Sequence, residues 1–229
     1  MRGGMPVAIV TGASRGLGRA LARALDERGW RLIVDARGGE ALRAATEGLE
    51  RVVAVAGDLV DPEHRRTLVE AAGEQIDLLV NNASLLGPSP QPALADYPLD
   101  ELQRVYEVNV IAPLALVQLA LPRLRAGAAI LDLTSDAAIE PYEGWGGYGS
   151  SKAALDQLTA ILGVEHPELH VYAVDPGDMR TQMHQEAFPG EDISDRPAPE
   201  ASVPALLALI EGSLPSGRYR TLELAAASR

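Results

Sequence analysis

Short apolar runs recur along the chain and lack the polar and apolar alternation of a half-exposed strand. Val, Ile and Leu dominate these runs, so we predict strands that are buried on both faces. The predicted strands are Val7–Val10, Arg31–Val34, Val52–Ala56, Leu78–Val80, Ala129–Leu133 and Val171–Val174. Strands of this kind are typical of parallel sheets, which helices cover on both sides.

Segments with helical spacing of apolar residues separate most of these runs. They predict helices at Gly16–Arg28, Glu40–Glu50, Pro62–Glu74, Leu99–Arg125 and Tyr148–Leu162, and weaker patterns predict a helix at Ser202–Glu211 and a last strand at Arg218–Leu224. This alternation predicts an α/β fold, a Rossmann-type doubly wound parallel sheet of about seven strands with helices on both faces. No linker divides the chain, so residues 1–229 are expected to form a single domain.

Several residues mark the ends of the predicted helices. Asp61 followed by Pro62 is a helix cap with proline at the first helical position. Gly29 and Gly73 are suited to helix C-termini, where the chain often adopts a left-handed conformation.

Composition narrows the possible functions. The 229 residues include 20 basic and 32 acidic side chains, and the net charge of −12 argues against general binding to nucleic acid or anionic membranes. The lack of cysteine excludes disulfides and a catalytic thiol. No apolar run reaches the roughly 18 residues of a membrane span, and the N-terminus lacks signal-peptide features. We therefore expect a cytoplasmic protein.

A glycine-rich loop joins the first predicted strand to the first predicted helix. Its glycines are Gly12, Gly16 and Gly18, in the pattern Thr-Gly-x3-Gly-x-Gly. Glycines let the backbone approach a dinucleotide pyrophosphate, which binds to N–H groups at a helix N-terminus. An ordinary strand–helix turn is the alternative, but the flanking strand and helix favour dinucleotide binding.

Tyr148 and Lys152 are four residues apart at the start of a predicted helix, so they share one helix face. An ammonium group beside a phenol favours phenolate and lowers the tyrosine pKa, which suits proton transfer near neutral pH. Lys152 is the single lysine in a chain whose other basic residues are arginines. This usage indicates a role that the planar guanidinium of arginine does not fill.

Together, these two motifs resemble those of the short-chain dehydrogenase/reductase family, with motifs in the family's order from about residue 5 to residue 181. The resemblance implies that Tyr148 is the general acid or base and that Lys152 lowers its pKa and binds the nicotinamide ribose. It also implies that Ser135 orients the substrate carbonyl and that Asn109 supports a proton relay. Alternatively, Ser135 is a strand-end cap, with Thr134 its nearest competitor, and Asn109 is a polar kink within a helix.

The resemblance also implies a set of cofactor contacts. The expected cofactor-binding residues are Gly12, Ser14, Arg15, Gly16, Leu17, Gly18, Arg37, Asp58, Leu59, Asn82, Ala83, Ser84, Tyr148, Lys152, Pro176, Gly177, Met179 and Thr181. Two positions depart from the family pattern. Ser84 stands where glycine is usual and is expected to crowd the cofactor or reshape the pocket edge, and Asp178 stands where an apolar residue is usual. A helix cap is an alternative role for Asp58.

The end of the second predicted strand bears on the choice between NAD and NADP. An acid there selects NAD, whereas a nearby arginine accepts the 2′-phosphate of NADP. By resemblance the selecting position is Ala36, so Asp35 lies one residue too early and Arg37 follows directly. With Arg15 in the glycine loop, two arginines favour NADP(H), while NAD(H) stays an alternative.

Other polar and aromatic residues carry weaker signals. The four histidines show no metal-ligand spacing, so no metal site is predicted and we expect surface or capping positions for His64, His166, His170 and His184. Trp145 and Tyr142 either line the pocket or pack in the core. Residues 181–201 resemble the substrate lid of the family, and a mobile solvated loop is the alternative.

These features predict an NAD(P)-dependent oxidoreductase that transfers a hydride between nicotinamide and a carbonyl or alcohol substrate, chiefly NADPH-dependent carbonyl reduction. The main alternative is a catalytically silent nucleotide-binding sensor. An epimerase or dehydratase of the extended type is a second rival, but it has a different glycine spacing and a longer C-terminal part. By resemblance we expect a homodimer or homotetramer. No sequence feature identifies the substrate.

Overall fold

A computed structural model describes residues 4–227 of the chain, except for the side chains of residues 225 and 227. Within this range seven strands form one parallel sheet in the order β3-β2-β1-β4-β5-β6-β7. The strands are β1 Val7–Val10, β2 Arg31–Ala36, β3 Val52–Ala56, β4 Ile76–Asn81, β5 Leu124–Leu133, β6 His170–Asp175 and β7 Gly217–Arg220. The strand order reverses between β1 and β4, which opens a crevice at their carboxyl ends where such folds bind ligands.

Helices cover both faces of this sheet, as predicted. The described helices are α1 Gly16–Glu27, α2 Gly39–Thr46, α3 Pro62–Ala72, α4 Leu99–Tyr106, α5 Ala112–Ala120, α6 Gly146–Glu165, α7 Gln182–Ala187, α8 Val203–Glu211 and α9 Thr221–Ala227. Successive side chains of β4 point to opposite faces of the sheet, so a layer of helices is needed on each face to bury them. Leu78 and Val80 belong to the hydrophobic cluster on one face, and Leu79 belongs to the cluster on the other.

Burial of both faces is confirmed for the central strands and is wrong for β3. Val53 is 38% exposed, Ala54 and Ala56 are also exposed, and no residue of this strand is fully buried. The reason is position, because β3 is an edge strand of the sheet and is covered less completely than the central strands.

The predicted helix-terminal signals are confirmed. Asp61 Oδ1 accepts a hydrogen bond of 2.9 Å from the backbone N–H of Glu63, and Pro62 begins α3. Gly29 and Gly73 follow α1 and α3 with φ angles of 79° and 86°, a conformation that side chains disfavour.

The segment between β4 and β5 contains a continuous helical run of 25 residues, Leu99–Arg123. Residues Glu107–Ile111 form a π-helical turn that separates α4 from α5. By length and mean hydropathy the run is apolar enough to cross a membrane, which inspection for unbroken apolar runs missed. Leu116 and Val117 of this run pack into the core beside the sheet, and 44% of its apolar window is buried in the protein.

Two predictions near the C-terminus are corrected. The last strand ends at Arg220, and Thr221–Ala227 form α9, in which the Thr221 hydroxyl donates to the carbonyl of Pro176 at 2.9 Å. The segment 181–201 was expected to be irregular, but it contains the short helix α7. Thr181 caps that helix by accepting from the His184 N–H at 3.2 Å.

Candidate active site

The glycine loop lies at the carboxyl end of β1, where the strand order reverses. Gly12 and Gly16 have φ angles of 67° and 55°, which only glycine adopts readily. A Cβ atom on Gly18 would lie 2.5 Å from Asn82 Nδ2 and 2.6 Å from the carbonyl oxygen of Gly12. All three glycines are therefore required by the loop's own geometry.

Hydrogen bonds join the loop after β4 to Thr11, at the start of the glycine loop. The Thr11 hydroxyl accepts from the backbone N–H groups of Asn82 and Ala83, each at 3.0 Å, and Asn82 Nδ2 donates to the Thr11 carbonyl at 2.8 Å. The Asn82 side chain also donates to the Gly12 carbonyl at 3.2 Å, so this residue, predicted to contact the cofactor, holds the glycine loop in place. Thr11 was not predicted as a site residue, although its hydroxyl accepts two of the hydrogen bonds that join these loops.

The N-terminus of α1 fits a pyrophosphate. No side chain caps this helix, and its first turn contains no acidic residue. Its leading N–H groups therefore remain available to an anion, and the helix dipole favours negative charge there. Ser14 and Arg15 precede the helix, whereas the Leu17 side chain packs into the core, so only its backbone faces the loop.

Asp35 is buried, and both of its carboxylate oxygens have partners inside the protein. Its Oδ1 accepts from the Gly12 N–H at 2.8 Å, and its Oδ2 lies 3.0 Å from His64 Nε2. Both residues are buried, so the expectation that His64 occupies a surface or capping position is wrong. The physical reason is that a buried carboxylate needs hydrogen-bond partners, and His64 is one of them.

Ala36 and Arg37 then occupy the tip of β2, as the sequence register suggested. Arg37 is exposed, and Arg15 is exposed and hydrogen-bonded to Gln182 of α7. At the end of β3, Leu59 is buried, while Asp58 is exposed and accepts from the Val60 N–H at 3.0 Å. Asp58 is not the cap of α3, because Asp61 fills that position.

Tyr148 and Lys152 share one face of α6, as their spacing predicted. Lys152 is 2% exposed; its Nζ lies 5.6 Å from the centre of the Tyr148 ring and donates to the Leu133 carbonyl at 2.7 Å. Burial lowers the pKa of Lys152 to about 8, while Asp132 and Asp156 act in the opposite direction. Burial raises the pKa of Tyr148, so the chain by itself does not produce the lowered tyrosine pKa that we expected. Tyr148 therefore keeps its proton at neutral pH.

A cluster of buried polar side chains around Asp132 lies near Lys152, and the charge of Asp132 favours the ammonium form of that lysine. Asp132 accepts from Asn81 Nδ2 and from the Thr159 hydroxyl, each at 2.7 Å. Burial raises the pKa of Asp132, and the positive charge of Lys152 acts against that rise. The sequence does not reveal this cluster, because its members lie on β4, β5 and α6, which only the fold brings together.

Ser135 follows β5 and lines the same cleft as Tyr148, and it also caps a short turn. Its hydroxyl donates to Asp136 Oδ1 at 2.9 Å and accepts from the Ala137 N–H at 3.2 Å. Thr134, its competitor, is 4% exposed, and its hydroxyl has no hydrogen-bond partner among the described residues. Both hydroxyl-bearing residues line the cleft described below.

Asn109 lies in the π-helical turn and is fully buried. Its Oδ1 accepts from the Leu85 N–H at 2.7 Å and from the Ser84 hydroxyl at 3.1 Å, and its Nδ2 donates to Ser151 Oγ at 3.0 Å. Asn109 thus ties the loop after β4 to α6. The Ser84 side chain, expected to crowd the cofactor or reshape the pocket edge, donates to Asn109. Its hydroxyl also acts to lower the pKa of Tyr148, against the larger effect of burial.

These groups meet at a cleft of about 540 Å³. Its lining residues are Leu86, Thr134, Ser135, Asp136, Tyr142, Glu143, Trp145, Tyr148, Asp175, Pro176, Gly177, Asp178, Met179, Thr181, Met183, His184, Ala187 and Phe188. The segment 181–188 therefore contributes one wall, and Trp145 and Tyr142 line the cleft rather than the core. The position of a Cβ on Gly16 lies 3.6 Å from Thr181 Cγ2, so the cleft borders the glycine loop. Within residues 4–227 no cluster of three or more metal-ligating side chains occurs.

Comparison with known proteins agrees with this geometry. Residues 6–192 match the family described as short chain dehydrogenase. The chain belongs to the short-chain dehydrogenase family. It is 33% identical over 193 residues to a benzil reductase ((S)-benzoin forming) of Bacillus subtilis, covering 78% of this chain and 76% of that one. It is also 33% identical over 236 residues to a rhamnolipids biosynthesis 3-oxoacyl-[acyl-carrier-protein] reductase of Pseudomonas aeruginosa, covering 96% and 86%.

Solved structures share the fold of this short-chain dehydrogenase. One from Escherichia coli CFT073, complexed with NADPH, superposes with a TM-score of 0.87 at 27% identity, covering 94% of this chain and 96% of that one. Family membership and reductase relatives make the chain an NAD(P)-dependent oxidoreductase. The Rossmann-type fold expected from the sequence is confirmed.

Proposed function

We propose that this short-chain dehydrogenase reduces carbonyl compounds with NADPH. The observation that carries the proposal is the position of Tyr148 at a cleft that borders the glycine loop, with Lys152 buried beside it. Burial raises the pKa of Tyr148 there. A phenol that keeps its proton is prepared to donate it, which is what the oxygen of a carbonyl needs as it becomes an alcohol.

Each active-site residue has a distinct role in the proposed reduction. The bound cofactor supplies the hydride and would be held by the glycine loop, the N-terminus of α1 and Lys152. Tyr148 donates its proton to the substrate oxygen. The Thr134 hydroxyl, unpartnered within the part of the chain that the structure describes, and the Ser135 hydroxyl, once it is released from Asp136, donate hydrogen bonds that orient that oxygen. The Lys152 ammonium stabilises the phenolate that remains after the transfer. Asn109 holds the loop after β4 against α6, so that Tyr148 keeps its position.

The surroundings of β2 support NADPH over NADH. Asp35, the acid that would bind ribose hydroxyls, is committed to Gly12 and His64 inside the protein. Arg37 and Arg15 are exposed beside the loop, and guanidinium groups bind phosphate well. An NADPH-complexed structural neighbour adds support for this preference.

The lining of the cleft supports an aromatic or apolar carbonyl substrate. Tyr142, Trp145 and Phe188 surround the opening, with ring centres 5.7–6.1 Å apart in adjacent pairs. The relative from Bacillus subtilis is named for the aromatic diketone benzil, in keeping with this choice.

The test is oxidation of NADPH, with NADH in parallel, across aromatic ketones, aldehydes, quinones and 3-oxoacyl thioesters. We expect turnover with NADPH preferred, and at least about a thousandfold loss of turnover in Tyr148→Phe with cofactor binding retained. Full turnover in that variant would overturn the role of Tyr148, and preference for NADH would overturn the role of Arg15 and Arg37. Tight cofactor binding without turnover of any carbonyl would favour a silent sensor.

We also propose that the protein assembles with copies of itself. Val164 on α6 is 82% exposed and Ile161 is 43% exposed, while Ile111, just before α5, is 49% exposed. Ile161 and Val164 are three positions apart on α6 and so lie on one face of that helix, and a contiguous exposed apolar surface favours coverage by another chain. Light scattering during gel filtration is expected to give a dimer or tetramer, and a monomeric mass would refute the proposal.

A further inference from the structure

Several acidic side chains line the substrate cleft, and the proposed carbonyl reduction gives them no role. Four of its lining residues are carboxylic acids, and its lining includes no arginine and no lysine: the acids are Asp136, Glu143, Asp175 and Asp178. Like charges around one cavity repel an anionic substrate and attract a cationic one.

Two of the acids are already compensated by arginines. Asp175 is buried, and its Oδ2 lies 3.7 Å from Arg218 and 3.4 Å from Arg220. Asp178 lies at the rim, 3.5 Å from Arg196. These carboxylates have partners of opposite charge within the protein, so they contribute less to the attraction of a ligand.

Asp136 and Glu143 have no basic partner among the described residues, but Glu143 is exposed, whereas Asp136 is partly buried and held by neutral groups. Its carboxylate accepts from Ser135 Oγ at 2.9 Å, from the Ala137 N–H at 2.8 Å and from the Tyr142 hydroxyl at 3.0 Å. Among the described residues no basic side chain forms an ion pair with it. A carboxylate offers about four acceptor positions, so one remains for a donor from the ligand. Its contact with Ser135 places this charge next to the reacting carbonyl.

A second observation points to a polar ligand at the same place. The Thr134 hydroxyl is buried, lines the cleft and has no hydrogen-bond partner within residues 4–227. Buried hydroxyl groups normally have partners, so this one is free for the oxygen or nitrogen of a bound molecule. The aromatic rings of Tyr142 and Trp145, 6.1 Å apart, add faces that attract cations as well as apolar rings.

We propose that the substrate is an aromatic carbonyl compound with a protonated amine within a few atoms of its carbonyl group, and that Asp136 binds that ammonium. The proposal rests on the proposed carbonyl reduction. In this proposal the aromatic ring of the substrate packs against Tyr142, Trp145 and Phe188. An anionic substrate such as an acyl carrier thioester is then disfavoured, unlike the substrate named for the relative from Pseudomonas aeruginosa.

The test compares three ketones that differ in charge at one position. They are α-aminoacetophenone, assayed below the pKa of its ammonium group, its neutral counterpart propiophenone, and the anion benzoylacetate. The measured quantity is the ratio of kcat/KM for the ammonium ketone to that for the neutral ketone, in wild type, in Asp136→Asn and in Asp178→Asn. Asparagine keeps the size of the side chain, and the ratio cancels any loss that is common to both substrates.

We expect the ratio to fall about tenfold or more in Asp136→Asn and less than about threefold in Asp178→Asn, whose carboxylate is already paired. Benzoylacetate should be the poorest substrate of the wild type. An unchanged ratio in Asp136→Asn, or equal falls in both variants, would overturn the assignment. Failure to reduce any of the three ketones would instead count against the proposed function.

A second measurement needs only the wild type, in case the variant fails to fold. Benzylammonium should inhibit propiophenone reduction at least about tenfold more strongly than benzyl alcohol, and added salt should weaken its inhibition, because salt screens charges. Equal inhibition by the two compounds, without a salt effect, would overturn the proposal.

Discussion

Lys152→Met is expected to make the protein more stable while abolishing its activity. Lys152 is 2% exposed, and its ammonium group has lost nearly all contact with water. Burial lowers its pKa from 10.5 to about 8, so the folded protein holds the charged form at a cost. Methionine has a similar length and no charge to desolvate.

The size of the effect follows from that pKa. A fall from 10.5 to about 8 corresponds to about 3 kcal/mol of destabilisation at neutral pH. Two losses offset part of the gain in the variant: the Leu133 carbonyl loses its donor, and Asp132 loses a nearby positive charge. A lost buried hydrogen bond costs about 1–3 kcal/mol, which leaves a net gain of about 1 kcal/mol. For a protein of this length, that gain raises Tm by about 2–4 °C.

The pH dependence identifies the cause. Since the pKa of Lys152 is lower in the folded protein, the folded state has released this proton between about pH 8 and 10.5 while the unfolded chain still binds it. Wild-type stability therefore rises with pH across this window relative to Lys152→Met, by up to about 3 kcal/mol. Below about pH 8 the penalty is fully present. Asp132, Asp156 and Tyr148 are common to both proteins, so much of their contribution cancels in the difference.

The assay is urea denaturation of both proteins at several pH values from 7 to 10.5 (roughly the titration range of the lysine), read by tryptophan fluorescence. A stability difference that does not change with pH would refute the argument that desolvation of Lys152 is the cause. The same pKa predicts that wild-type kcat/KM declines above about pH 8, as the ammonium group is lost.

Three further substitutions test the site and the core. Ser84→Gly removes the hydroxyl that donates to Asn109 and lowers the pKa of Tyr148, so kcat should fall severalfold and its pH profile should move to higher pH; an unchanged profile would refute this role. Gly18→Ala places a Cβ 2.6 Å from the Gly12 carbonyl oxygen and should lower stability by about 1–3 kcal/mol and cofactor affinity at least tenfold, measured by calorimetry; normal affinity would show that the loop adapts. Leu79→Ala in the fully buried β4 should cost about 2–5 kcal/mol in urea denaturation, against less than about 0.5 kcal/mol for Leu222→Ala, whose side chain is 71% exposed; similar losses in both would contradict the core assignment.

The central strands, the glycine loop and the Tyr148–Lys152 pair could be identified from the sequence because each depends on neighbours in the chain. Apolar periodicity reports burial over a few residues, and a spacing of four places two side chains on one helix face. The end of β7 was misjudged because the apolar residues beyond Arg220 suit either a strand or a helix. The short helix α7 was missed because six residues are too few to show a periodicity.

Tertiary structure alone decided which distant groups meet. It paired Asp35 with His64, 29 positions apart, and Asn81 with Asp132, 51 positions apart. It also decided that burial raises the pKa of Tyr148, since desolvation depends on everything packed around the phenol. The sequence by itself indicated the fold class and the family of oxidoreductases, because both can be recognised from local patterns of residues. The environment of each charge depends on contacts between segments that are remote in the chain, and therefore only the folded protein determines it.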